Sequence, residues 1–153
     1  MKFRKIDISR ILPIRKHKES APMPDNTTDK GNEPALFNLC REARMNESYR
    51  KAIWTGKYMQ LTLMTLEPGE DTGVEMHEGG EQLLRVEEGE AVISMGKSPD
   101  SLEPSRRLGA CSAALIPSGT YHLIKSVGVY PLRLTSVYAP PVHRWGTVDE
   151  EKT

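Results

Sequence analysis

The chain has 153 residues, enough for one domain with its own core. Lys plus Arg and Asp plus Glu stand at 21 each, so the balance of charge gives no basis for nucleic acid as a partner. No apolar run approaches the roughly 18 residues of a membrane span. The first residues lack the apolar core of a secretory signal, so Cys40 and Cys111 are expected as free thiols in the cytoplasm.

Residues 1–34 read as a basic arm and linker. Lys2, Arg4, Lys5, Arg10, Arg15, Lys16 and Lys18 surround a single acid, Asp7, and alternate with Ile6, Ile8, Ile11, Leu12 and Ile14. Such an arm can pack on a partner subunit, touch an anionic surface, or stay solvated. His17 lies in it and is assigned no role. Pro22, Pro24, Asp25, Asn26, Gly31 and Pro34 give the composition of a linker. Residues 36–48 suit one short helix, with Leu36, Leu39, Cys40 and Ala43 on one face. Ala52-Ile53-Trp54 then opens a β pattern. Tyr58 to Leu66 alternates with apolar residues on both faces, as expected of a strand covered on one side and touching a partner on the other.

Pro68 to Gly89 carries the chemistry. Glu75 and His77 are two apart, which on a strand projects both to one face. Gly79-Gly80 favours a turn, and a second strand starts at Gln82, with Leu84 and Val86 at period two. The stretch reads as a β-hairpin. Strand parity groups Gln82 with Leu84 and Val86, and Glu81 with Leu83 and Arg85. A register slip of one would substitute Glu81 for Gln82. Further strands are expected at Ala91–Met95, Ala110–Ile116, Tyr121–Val127 and Leu132–Tyr138. A surface loop is expected over residues 97–107, and Cys111 reads as a small buried residue. Pro117-Ser118-Gly119 is a tight turn that delivers His122 at the start of its strand. Evenly spaced short strands divided by Gly and Pro indicate an all-β sandwich or barrel.

Glu75, His77, Gln82 and His122 together offer two imidazoles, one carboxylate and one amide oxygen. Mixed nitrogen and oxygen donors suit a borderline divalent ion such as Zn, Ni, Mn or Fe. The plainer reading is a set of polar residues in a wet barrel mouth. Tyr58, Gln60 and Tyr121 are candidate pocket residues, as are Trp54 and His143, and each can equally be a packing or rim residue. The sequence has no phosphate-cradling Gly loop, no CxxC pair and no defensible Ser-His-Asp order.

These residues resemble the cupin superfamily. Gly69, five residues, Glu75-x-His77, four residues, Gln82, six residues and Gly89 reproduce the frame of its first motif. Glu75 stands where the family has a His, and Gln82 where it has a Glu. Pro117-x-Gly119-x-x-His122-x-x-x-Ser126 matches the end of the second motif, with Ser for Asn. Gly109 lies two residues too early. The resemblance implies a single-domain cupin: an RmlC-like jelly-roll, an antiparallel β-barrel with a short N-terminal helix and a flexible arm. Its implied divisions are an arm and linker over 1–34, the barrel over 35–141 and a polar tail over 142–153. It looks most like the small bacterial cupins labelled mannose-6-phosphate isomerase-like. That likeness implies a homodimer with a divalent metal at Glu75, His77, Gln82 and His122. Such a barrel would bind or transform a small polar, carbonyl-bearing or sugar-like molecule, and any enzyme would be a metal-dependent isomerase or dioxygenase. The alternative is a non-catalytic barrel that binds a small molecule or dimerises without metal.

Overall fold

The structure, a computed structural model, describes residues 29–152. Expectations for the basic arm over residues 1–28 lie outside the described residues. One helix, α1 (Leu39–Met45), precedes nine strands. These are β1 (Arg50–Thr55), β2 (Gln60–Leu66), β3 (Glu81–Glu88), β4 (Ala91–Gly96), β5 (Glu103–Pro104), β6 (Ala113–Ile116), β7 (Tyr121–Ser126), β8 (Leu132–Ala139) and β9 (Val148–Asp149). They form a six-stranded sheet, β6-β3-β8-β2-β1-β9, and a three-stranded sheet, β5-β4-β7. Every pairing between them is antiparallel. The expected jelly-roll barrel is therefore the observed architecture.

The core lies between the sheets. Met64, Leu66, Leu84, Val86, Leu132 and Leu134 from the larger sheet meet Ile93 and Ile124 from the smaller, all at most 1% exposed. Each such side chain contributes about 1.5–3 kcal/mol through burial. The period-two pattern of β3 explains its orientation: Gln82, Leu84 and Val86 are buried, while Glu81 and Leu83 are exposed. The other face of β2 has its own small cluster, where Ala43, Ile53 and Leu63 pack with Phe37, Leu39 and Leu61. The second apolar face of β2, expected to touch a partner, is instead covered by this chain's own helix and β1. The helix begins where the Asn38 side chain accepts a hydrogen bond from the Arg41 N–H at 3.1 Å. Leu36 precedes this cap and is fully exposed, so it does not share the packed face expected of it.

Four further expectations are corrected. Residues 75–77 do not form a hairpin with β3. Glu75 instead pairs with His122 of β7 through two backbone bonds, Glu75 N–H to His122 O at 2.8 Å and His122 N–H to Glu75 O at 2.9 Å. β3 pairs with β6 on one edge and β8 on the other, which leaves no edge for residues 75–77. Cys111 is exposed and has a φ of 68°, in the turn closed by the Ser112 N–H on the Gly109 carbonyl. Residues 97–107 include β5, paired with β4. The segment after Pro141 is more than a polar tail: β9 pairs with β1. Among the described residues, no helix is long and apolar enough to cross a membrane.

Candidate metal centre

Two backbone links join the two halves of the site. Besides the Glu75–His122 bridge, the Gly119 N–H donates to the His77 carbonyl at 3.0 Å. The Pro117–Gly119 turn is closed by the Thr120 N–H on the Pro117 carbonyl at 3.2 Å. Gly119 has a φ of 74° with open space where a Cβ would stand, so conformation and not crowding calls for glycine there. This turn holds His77 and His122 side by side, with ring centroids 5.3 Å apart.

The ligand atoms offered by Glu75, His77 and His122 all lie within 4.8 Å of one another. The Nε2 atoms of both histidines are buried and without a hydrogen-bond partner. Buried polar atoms left unpaired cost about 1–3 kcal/mol each, and an ion shared with Glu75 would satisfy both nitrogens at once. Nδ1 of His122 lies 3.0 Å from the Thr120 carbonyl. That contact puts the ring proton on Nδ1 and leaves the Nε2 lone pair facing the site, the usual second-sphere support of a metal-binding imidazole. Glu75 Oε1 accepts from Arg50 Nη2 at 3.0 Å, while its Oε2 lies 3.9 Å from His122 Nε2. That gap is too long for a hydrogen bond. It suits two donors that each approach one ion at about 2.0–2.2 Å. Burial, aided by the neighbouring His122, lowers the pKa of His77, which favours the neutral, ligating form.

Gln82 is 2% exposed and faces inward, whereas Glu81 is exposed on the opposite face of β3. The Gln82 amide donates to Ser136 Oγ at 2.7 Å, and its buried Oε1 has no partner. The donors brought together are thus two imidazoles and one carboxylate, a set that fits a first-row divalent ion.

The candidate pocket residues divide. Gln60 is fully buried, but its amide is spent on the Thr55 hydroxyl and the main chain of His143. Tyr58 is 72% exposed in the β1–β2 turn, because the Gly56 N–H closes that turn on the Met59 carbonyl. Tyr121 lies on the face of β7 opposite His122. Trp54 donates to the Glu33 carbonyl at 2.7 Å and lines an outer apolar groove with Phe37 and Met59. Two residues that sequence reasoning did not single out stand at the centre. Tyr138, 1% exposed, meets the His77 ring edge-on at 5.4 Å, and burial pushes its phenol up to about 12. Its inward parity on β8 was a readable signal. Arg50 opens β1, and nothing in the pattern around it pointed to a partner 25 residues away.

Residues 62–138 match the family described as Cupin domain. The chain belongs to the cupin family. It is 45% identical over 124 residues to YrkC of Bacillus subtilis, an alignment covering 81% of this chain and 67% of that protein. The crystal structure of BH2720 from Bacillus halodurans superposes with a TM-score of 0.80 at 44% identity, covering 82% of this chain and 95% of that one. The oxalate decarboxylase of Bacillus subtilis, whose structure was studied for its Mn(II) centres, shares the fold at 15% identity and a TM-score of 0.51. That likeness covers 61% of this cupin and 24% of the larger enzyme.

Proposed function

We propose that this cupin holds a divalent metal ion on Glu75, His77, His122 and Gln82 and uses it to bind, and where chemistry follows to transform, a small carbonyl-bearing polar molecule inside the barrel. The carrying observation is the convergence of the Glu75, His77 and His122 donor atoms within 4.8 Å, with both imidazole Nε2 atoms buried and unpartnered. A bound divalent ion would supply Lewis acidity to a carbonyl oxygen or lower the pKa of a bound water. The chain's own residues set the conditions: Thr120 fixes the His122 tautomer, Arg50 holds one oxygen of Glu75, and Tyr138 walls the site. The narrower likeness to mannose-6-phosphate isomerase-like cupins would make the ligand sugar-like, and an isomerase or dioxygenase would be the corresponding enzyme.

The reading includes a homodimer. Leu61, Val137, Leu83 and Leu115 are register partners across β2, β8, β3 and β6, and they form one apolar row on the outer face of the large sheet. Leu83 and Leu115 are exposed, at 37% and 73%. A second copy laid on this row would cover it. Cys40 and Cys111 are unpaired, which supports a reducing, cytoplasmic setting.

Element-resolved metal analysis of untagged protein tests the metal reading, with the combined His77→Ala and His122→Ala variant as control. One equivalent in the parent and none in a folded double variant is expected. Equal metal in both would refute the assignment.

A further inference from the structure

Residues 29–33 are pinned to the Thr55 end of β1. Asp29, 4% exposed, accepts from the Thr55 hydroxyl at 2.6 Å and from the Gly146 N–H at 2.9 Å. The Lys30 N–H donates to the Ile53 carbonyl at 2.9 Å. A Cβ on Gly31 would stand 2.2 Å from the Thr55 carbonyl oxygen, so the backbone passes β1 there with no room for a side chain. The Trp54 indole then donates to the Glu33 carbonyl at 2.7 Å. The first 28 residues therefore join the described chain beside Trp54.

That end of β1 opens on an apolar groove of about 370 Å³, lined by Phe37, Trp54, Met59, Leu61 and Val137 among others. Trp54, Leu61 and Val137 are successive register partners across β1, β2 and β8. The groove is thus the start of the outer row that continues through Leu83 to Leu115. It is open to solvent: Met59 is 44% exposed, and Leu36, beside Phe37, is fully exposed. Contiguous exposed apolar surface of this kind marks a contact site. The sequence before Asp29 carries a matching surface. Ile6, Ile8, Leu12 and Ile14 share parity, so an extended backbone would put them on one face, with Arg10 among them. Lys5, Asp7, Ser9 and Arg15 would fall on the other face with Ile11.

We propose that residues 6–14 of the same chain dock in this groove, with their Ile and Leu face against Phe37, Trp54 and Leu61. Reach permits it. Fourteen residues, 15–28, separate Ile14 from Asp29. At about 3.6 Å per residue they can span up to about 50 Å. The whole row from Trp54 to Leu115 crosses five strands about 4.8 Å apart, roughly 19 Å. Concentration favours the tethered segment over a second copy. A segment joined this close to the groove meets it at about millimolar effective concentration, well above that of a free copy at working dilution. Residue type agrees, since β-branched Ile favours extended backbone and Pro13 disfavours helix at Leu12. The docked segment covers Trp54 and Met59. It leaves Leu83 and Leu115, at the far end of the row, for a second copy. The proposal depends on neither the metal nor the dimer.

The test uses the untagged full chain with a photoreactive benzophenone amino acid in place of Ile8. Irradiation and peptide mapping should join position 8 to Met59, Phe37 or Trp54. Irradiating an equal mixture of isotopically light and heavy protein should give joined peptides of one isotope only. Ile6→Asp with Leu12→Asp in the same photoreactive chain should abolish these products, with the circular dichroism of the fold retained. Trp145→Phe leaves Trp54 as the one tryptophan. In that background, without the photoreactive group, the same two Asp substitutions should shift Trp54 emission to the red. Products that fall outside the groove, or groove products that survive the Asp substitutions, overturn the docking. Unshifted Trp54 emission overturns the covering of the groove. Groove products of mixed isotope assign the occupant to a second copy and overturn the same-chain proposal.

Discussion

Arg50 Nη2 lies 3.0 Å from Glu75 Oε1, and the pair is largely shielded, with side chains 11% and 23% exposed. The guanidinium neutralises the carboxylate and also fixes which of its oxygens is free. It stacks over the Tyr49 ring at 5.1 Å, so its own position is held from a second side. The arrangement makes Arg50 and a bound cation rivals for the same carboxylate charge.

Removing the rival gives the first prediction. Arg50→Met should destabilise the metal-free protein by about 1–3 kcal/mol, because Glu75 is left shielded and unpaired. Saturating zinc should then raise the melting temperature more in the variant than in the parent, since the ion becomes the sole counter-charge of Glu75. Thermal melts with and without zinc measure both effects. An equal zinc-induced rise in the two proteins would show that Arg50 and the ion do not share Glu75.

A second prediction concerns the neutral donor. Gln82→Glu replaces an amide oxygen with a charged ligand at a position 2% exposed. Metal affinity should rise by about ten-fold or more, while the metal-free form should melt lower at neutral pH, because an acid is buried without a counter-charge. Competition against a chelator, together with melts in EDTA, reads the two signs separately. A variant that binds metal no better than the parent would place Gln82 outside the ligand set.

The third prediction follows from His143. Burial first, then the Arg50 charge, pushes its pKa down to about 4 from an ordinary value of 6.5, against a smaller upward pull from Asp149 and with His77 adding to the depression. A histidine depressed in the folded state is protonated more readily when unfolded. Its contribution to stability is therefore complete above about pH 6.5 and is lost as the pH falls from there toward 4. Denaturant midpoints of the metal-free protein should drop across that window, and His143→Gln should flatten the drop. His77, lowered by its own burial, adds a further decline that the variant retains.

A fourth prediction tests the outer apolar row. Leu115→Glu, at a site 73% exposed, should leave the melting temperature nearly unchanged and convert a dimer to a monomer in sedimentation velocity. A parent that sediments at about its chain mass of 17.2 kDa at high concentration would remove the dimer from the reading.

The strands were legible because their signal is local. β4, β6, β7 and β8 fall where short β-rich runs sit between Gly and Pro turns, and the parity of Gln82 against Glu81 followed from period two alone. The spacing Glu75-x-His77 and the Pro117–Gly119 turn before His122 likewise placed three chemical residues in two short windows. What stayed hidden depends on contacts between distant segments. Residues 75–77 have strand-like spacing, yet they bridge β7 and not β3, because the backbone bonds of His122 were open to them and the flank of β3 was already taken by β6 and β8. Cys111 looked like core from its apolar neighbours, but a turn with a positive φ turned it outward. Residues after Pro141 looked like a polar tail because the bonds that hold them are made by Gln60, Asp29 and Ala52, each more than 80 residues earlier in the chain. Residue type and local period determined which side chains could serve the site. Only the closing of the two sheets decided that Arg50, Tyr138 and His143 stand beside them, since a side chain's partners are set by the packing of sheets and straps that no local pattern encodes.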